Sequence, residues 1–273
     1  MPFSDGHVRT NLERAAALAK GPPGECVAVG ARMHFISLGF SSRPATLALF
    51  AMIAVLLVAV PIVAYWRSRF DDPDRAEERR VKHARYARSL VVIWAITALA
   101  LYALRLYGMG VADVGVRAPH EPWQYAFGFA VPALFALANF GRTSISPEYL
   151  QRVRRVIPVD ASDWVWFVPV ALTAGICEEF LYRGYALTQV AAITGSLPAG
   201  FVLSSVAFGF AHIYQGRIGV IGTAITGALY ATVFLATGSV VPCMIGHVGQ
   251  DIVAGLLYSR RIRAIDASAP DTA

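Results

Sequence analysis

Across residues 164–258 the only ionisable side chains besides tyrosine and cysteine are Glu178, Glu179, Arg183, His212, Arg217, His247 and Asp251. A stretch so poor in charge has no polar face to turn toward water. It is also several times longer than the ~20 apolar residues that cross a hydrocarbon core of ~30 Å. Such a stretch is expected to cross a membrane repeatedly. The whole 273-residue chain agrees: 56% of it is hydrophobic and 15% charged, against about 25% charged in soluble domains. These proportions exclude a disordered chain and a disulfide-stapled secreted domain.

The formal charge of +6 raises the question of nucleic acid, and its placement answers it. Eight of the 24 basic residues lie in residues 67–88, between two apolar runs. Arg152, Arg154 and Arg155 precede another run, and Arg260, Arg261 and Arg263 follow the last. Basic residues gathered at the ends of spans are the signature of membrane orientation, so the expected partner is the lipid bilayer and no nucleic acid. The three cysteines, Cys26, Cys177 and Cys243, have no metal-ligand spacing and read as small hydrophobes. Arginine outnumbers lysine 22 to 2, which hints at a GC-rich bacterial genome and a bacterial cytoplasmic membrane.

Apolar runs predict spans at residues 46–66, 90–107, 123–140, 164–193, 197–212, 218–237 and 240–258. The fold class is therefore all-α, a polytopic transmembrane helical bundle of about seven spans, eight if residues 26–40 also cross. An interfacial or re-entrant piece is the other reading of 26–40. The first strongly apolar run begins near Thr46 with no cleavage site after it, so insertion is expected to use the first span itself. Four regions result: an N-terminal polar or interfacial segment, 1–45; membrane helices in 46–160 with a charged cytoplasmic loop at 67–89; a charge-poor membrane core, 161–260; and a C-terminal tail, 261–273. The loop at 67–89 reads as a solvated, salt-bridged, helical face. Glycines 219, 222, 227, 246, 249 and 255 read as sites of close helix packing.

A charge at mid-bilayer costs at least ~2.5 kcal/mol on insertion scales, so the residual ionisable groups need a reason. Glu179 and Arg183 stand at i and i+4 in the favourable order for a helical ion pair. Glu178 points ~100° away around the helix and has no basic residue within a turn. It needs a partner on another helix or a role as a desolvated base. His247 and Asp251, again i and i+4, share one face of the last span. His212 ends the fifth, and rise along the helices places it deeper than Glu178. Three chemistries use such a set: metal-assisted hydrolysis, with Glu178, His212, His247 and Asp251 as possible ligands of a Zn²⁺; metal-free hydrolysis, with Glu178 and His212 activating water; and proton-coupled transport.

The same residues form an ordered set of motifs. Glu178, Glu179 and Arg183 stand as EExxxR, Phe208 and His212 as FxxxH, and His247 and Asp251 as a histidine followed four residues later by an acid. This set resembles the CAAX-protease and bacteriocin-processing (CPBP, or Abi) intramembrane proteases over roughly residues 160–260. The resemblance implies a helical bundle with an intramembrane catalytic cavity, and an endopeptidase acting on a peptide or protein substrate in or beside the bilayer. Glu178 and His212 would activate water, His247 and Asp251 would stabilise the oxyanion or complete the site, and Glu179 and Arg183 would support it. Eukaryotic relatives remove the last three residues of prenylated CAAX proteins; bacterial ones are linked to peptide maturation and bacteriocin immunity. Both a divalent metal such as zinc and a metal-free glutamate mechanism have been argued for the family. This chain departs from the pattern at Asp251, where the family also uses asparagine. An amide donates a hydrogen bond to an oxyanion and an ionised carboxylate does not. Asp251 must then be protonated, orient His247 or bind a metal. The competing reading is a non-enzymatic membrane protein, such as a proton-linked transporter, an immunity factor or a scaffold that keeps the motifs for packing.

Overall fold

Prolines and glycines punctuate the apolar runs, and the helices begin and end where they stand. The computed structural model describes residues 43–70, 79–140 and 145–268, together with 25–28 and 31–34. Helix α1 covers Pro44–Arg69, with proline in the first turn, where its missing N–H is no loss. Pro61 lies in its interior. The turn before it, Val55–Ala59, widens to a π-turn in which the Val60 N–H donates to the Val55 carbonyl. A proline removes one helical hydrogen bond and crowds the carbonyl four residues back; the wider turn relieves that crowding. Helix α2, Arg79–Leu106, runs back. Short 3₁₀ turns at Val111–Val114 and Pro122–Gln124 lead into α3, Tyr125–Phe140. The amphipathic α4, Pro147–Arg154, is capped by Ser146.

Helix α5, Ala161–Thr194, carries two π segments, Ala174–Glu178 and Phe180–Leu187, which flank Glu179. It ends at Gly195, whose φ of 65° is left-handed, a conformation open to glycine at little cost. Ser196 then caps α6, Leu197–Ala211, accepting from the Ala199 N–H. Helix α7, Gly216–Thr237, and helix α8, Val241–Ser268, follow.

Among the described residues four helices are long and apolar enough to cross a membrane: Pro44–Arg69, Arg79–Leu106, Ala161–Thr194 and Ile213–Thr237, the last being α7 with the 3₁₀ turn before it. These cover four of the seven expected spans. The others fall short for separate reasons. Helices α3 and α6 have 16 and 15 residues, and α8 is diluted by His247, Gln250 and Asp251. Within the possible eighth span at 26–40, the described residues form no helix: Glu25–Ala28 pairs antiparallel with Ala31–His34, and a strand of four residues covers only ~13 Å; the rest of that run lies outside the described residues. Among the described residues the all-α expectation is met apart from these two short strands.

The largest core joins α1 (Leu49, Leu56), α2 (Ala100, Leu104), α5 (Phe180, Tyr185) and α6 (Ala207, Phe208). Large apolar side chains also point outward, among them Leu47 at 69%, Leu137 at 74% and Val165 at 73% exposure. Exposed apolar surface on that scale is the property of a protein that lies in lipid. Within the basic segment at 67–89, Arg67, Arg79, Arg80 and Arg88 are exposed, as the solvated reading expects, while Lys82 and His83 are not. Helix α2 begins at Arg79, so Lys82 and His83 lie against the start of α5. Lys82 is buried, with Nζ 2.8 Å from Asp163 and donating to the Ile157 carbonyl at 2.7 Å. His83 Nε2 is 3.0 Å from the same carboxylate.

Candidate active site

Gly195 and Ser196 make the tight link that sets α5 antiparallel to α6. Glu178 stands 17 residues before Gly195 and His212 stands 16 after Ser196. Equal arms of a hairpin bring residues at equal distance from the turn to one depth. Here Glu178 Oε2 lies 3.8 Å from His212 Nε2. The depth mismatch expected from the separate spans is absent: the helix ends at the turn, Thr194 and Leu197, are nearly those expected, and counted from that shared turn the two residues are level. Both side chains are half-buried, each 17% exposed. Glu178 Oε2 accepts no hydrogen bond among the described residues, as suits a carboxylate kept free to take a proton.

His212 is fixed from its other nitrogen. Its Nδ1 lies 2.9 Å from the Phe208 carbonyl. A carbonyl can only accept, so Nδ1 carries the hydrogen and Nε2, facing Glu178, holds the lone pair in the neutral ring. The spacing of phenylalanine and histidine makes this bond, since residues four apart lie one turn apart on the helix.

Glu179 has the opposite environment. It is fully buried and has two partners: Arg183 Nη1 at 2.9 Å and His247 Nδ1 at 2.8 Å. The Arg183 guanidinium carbon lies 4.2 Å from the Phe208 ring centroid and 5.7 Å from that of Tyr230, so two aromatic faces cover the cation. The Phe208 ring also meets His212 at 4.8 Å and His247 at 5.9 Å. One aromatic side chain thus touches both histidines and the arginine. His247 is buried and stacks on Tyr230, ring centroids 5.7 Å apart, and Tyr230 in turn donates to Gln250 Oε1 at 3.1 Å. His247 Nε2 looks toward Asp251 at 3.8 Å.

All six expected site residues therefore gather where α5, α6 and α8 meet, as two linked groups. Glu178 with His212 forms one; Glu179, Arg183, His247 and Asp251 form the other. Among the described residues no group of three or more His, Cys, Asp and Glu side chains converges to hold a metal ion. Glu178 faces His212, while His247 is turned between Glu179 and Asp251, so the four possible ligands do not share one centre. The link between Glu179 and His247, and the roles of Phe208 and Tyr230, were not anticipated from the motifs. Phe208 was findable as the residue one turn before His212. Tyr230 was findable as a lone phenol in an apolar span that must find a hydrogen-bond partner.

No curated protein and no solved structure matches the chain. Residues 160–253 match a family model, type II CAAX prenyl endopeptidase Rce1-like. That stretch holds all three motifs, and the match agrees with the resemblance to the CPBP proteases.

Proposed function

We propose that this protein is an intramembrane endopeptidase that hydrolyses a peptide bond of a substrate in or at the bilayer, with Glu178 as general base. The observation that carries the reading is the Glu178–His212 pair. At 3.8 Å the two groups are too far apart for a direct hydrogen bond and suitably spaced for a water held by both. Glu178 takes one proton of that water as its oxygen attacks the scissile carbonyl carbon. The carbonyl oxygen becomes an oxyanion, and the peptide C–N bond breaks as Glu178 returns the proton to the leaving amine. His247, held through Nδ1 by Glu179, directs Nε2 toward Asp251 and is the group on α8 placed to stabilise the oxyanion. Asp251 orients His247, consistent with a carboxylate at a position where the family also uses an amide. The Rce1-like match supports this reaction over the transporter and scaffold readings.

In this reading the catalytic core, 161–260, is carried by the membrane helices of 46–160. The short α3 and α6 and the more polar α8 complete seven crossings, and arginine-rich composition supports a bacterial cytoplasmic membrane. The test is cleavage of a library of membrane-anchored peptides by the full chain in liposomes. Glu178→Gln, which keeps shape and removes the base, is expected to lower the rate by about 10²–10⁴-fold, and His212→Ala comparably. Undiminished cleavage by Glu178→Gln would overturn the assignment.

A further inference from the structure

A groove of about 740 Å³ lies outside the site, between α4, the end of α6 and the start of α7. Its volume falls within the ~300–1,000 Å³ of ordinary ligand sites. Its walls are apolar, with Phe210 at 46%, Ile218 at 73% and Ile221 at 62% exposure. Its mouth carries Arg152 from α4 and Arg217 from the first turn of α7. Gly216 places them together: a Cβ there would lie 3.2 Å from Arg152 Cδ, so the Arg152 side chain rests on the backbone beside Arg217.

Neither arginine pairs with a carboxylate among the described residues, whereas nearby Arg154 holds Asp266 at 2.6 Å. Glu148 is the one acid at the mouth, and it accepts from the Ser146 hydroxyl. That bond holds its carboxyl below the usual range. The mouth therefore keeps a net positive charge.

The apolar wall continues along α7. Ile218, Ile221, Ile225 and Leu229 recur at helical spacing on one face, and all four are exposed. From Ile218 to Leu229 the strip runs ~16 Å at 1.5 Å per residue, close to half of a ~30 Å hydrocarbon core. A cationic mouth at the membrane boundary, opening onto an apolar track one leaflet deep, has the shape and charge of an anionic phospholipid.

We propose that this groove binds an anionic phospholipid, its phosphate held by Arg152 and Arg217 and one acyl chain lying along Ile218, Ile221, Ile225 and Leu229. The proposal rests on α7 as a membrane span and not on the hydrolytic reading. His212 stands between Phe210 and Ile213, both of which line the groove, so a bound lipid borders the candidate active site.

The test titrates the full chain in detergent micelles with phosphatidylglycerol, with phosphatidylcholine of the same chains, and with inorganic phosphate, reading bound lipid by native mass spectrometry. Phosphatidylglycerol should bind more tightly than phosphatidylcholine. Each of Arg152→Gln and Arg217→Gln should lower its affinity about fivefold, the effect of one basic residue near an anionic surface. The double variant should bind the two lipids alike, and Arg154→Gln should leave the preference intact. Ile221→Ser with Ile225→Ser should weaken both lipids. Equal binding of the two lipids by the unmodified chain, or a preference that survives in the double variant, overturns the proposal. Competition by inorganic phosphate as effective as that by phosphatidylglycerol overturns the assignment to a lipid. Because the readout is binding, a chain without peptidase activity still tests it.

Discussion

Glu178 and Glu179 are adjacent in sequence and opposite in circumstance. Glu179 is fully buried, paired with Arg183 and bonded to His247, while Glu178 is half-buried beside His212 with no hydrogen bond to Oε2 among the described residues. The ion pair of Glu179 with Arg183 was legible because it lies within one turn of one helix. So was the need of Glu178 for a partner elsewhere. The Glu179–His247 bond was not legible: it joins residues 68 apart and exists only once α8 packs on α5. The two acids should answer mutation differently. Glu179→Ala strands the buried Arg183 cation, leaves His247 Nδ1 without its partner and is expected to destabilise by about 3–5 kcal/mol, whereas Glu179→Met with Arg183→Met removes both charges of the pair and should recover much of that loss. Glu178→Ala breaks no hydrogen bond among the described residues and should cost below about 1 kcal/mol. Thermal unfolding in detergent measures all three, and equal losses for Glu178→Ala and Glu179→Ala would refute the division of roles.

At the scale of elements, the close approach of helices sets where His247 stands. A Cβ at Gly246 would lie 2.0 Å from the Gly128 carbonyl oxygen, and one at Gly128 would lie 2.2 Å from the Pro242 carbonyl oxygen. Helices α3 and α8 therefore touch backbone to backbone, and the residue after the contact is His247. On the other side Gly175 of α5 meets Val248 and Met244 of α8, its Cβ position 2.8 Å from the Val248 nitrogen. The sequence made every glycine in these spans look alike, because small size alone does not say which one faces a neighbour. Gly246 is a contact; Gly222 has nothing within 4 Å, and Gly249 has only Pro132 Cγ at 3.9 Å. Gly246→Ala must push a backbone aside and should cost about 1–3 kcal/mol, with cleavage falling as His247 leaves Glu179. Gly249→Ala and Gly222→Ala should be neutral in both unfolding temperature and cleavage rate. A Gly246→Ala protein with unchanged stability and activity would mean that α3 and α8 do not meet in this way.

For the whole molecule, the basic segments that were separate in sequence converge on one end of the bundle. Arg79 reaches Asp160 at 3.1 Å, Lys82 reaches Asp163 at 2.8 Å, and Arg154 reaches Asp266 at 2.6 Å. Residues 79–82, 154–163 and 266 therefore share a level, and Arg152 beside Gly216 adds the start of α7. The opposite end is fixed by Arg117 Nε, which donates to the Gly238 carbonyl at 3.1 Å, and by the Val240 N–H, which donates to the Gly115 carbonyl. Charge placement made the basic end legible, since it follows from composition at the ends of apolar runs. The number of crossings was less so, because α3 and α6 are short and α8 spends part of its hydropathy on the site residues. The two-ended arrangement decides the matter experimentally. With basic residues retained on the cytoplasmic side, single cysteines at the exposed positions Arg152, Arg260 and Asp266 should react with an impermeant maleimide only in inverted membrane vesicles. Cysteines at the exposed Glu121 and Trp123 should react only in right-side-out cells. Helix α8 begins at Val241, beside the end that holds Gly238, and reaches Asp266, beside Arg154, so this pattern requires it to cross despite its polar residues. Labelling of Asp266→Cys and Trp123→Cys from the same side would refute both the crossing of α8 and the membrane placement of His247 and Asp251.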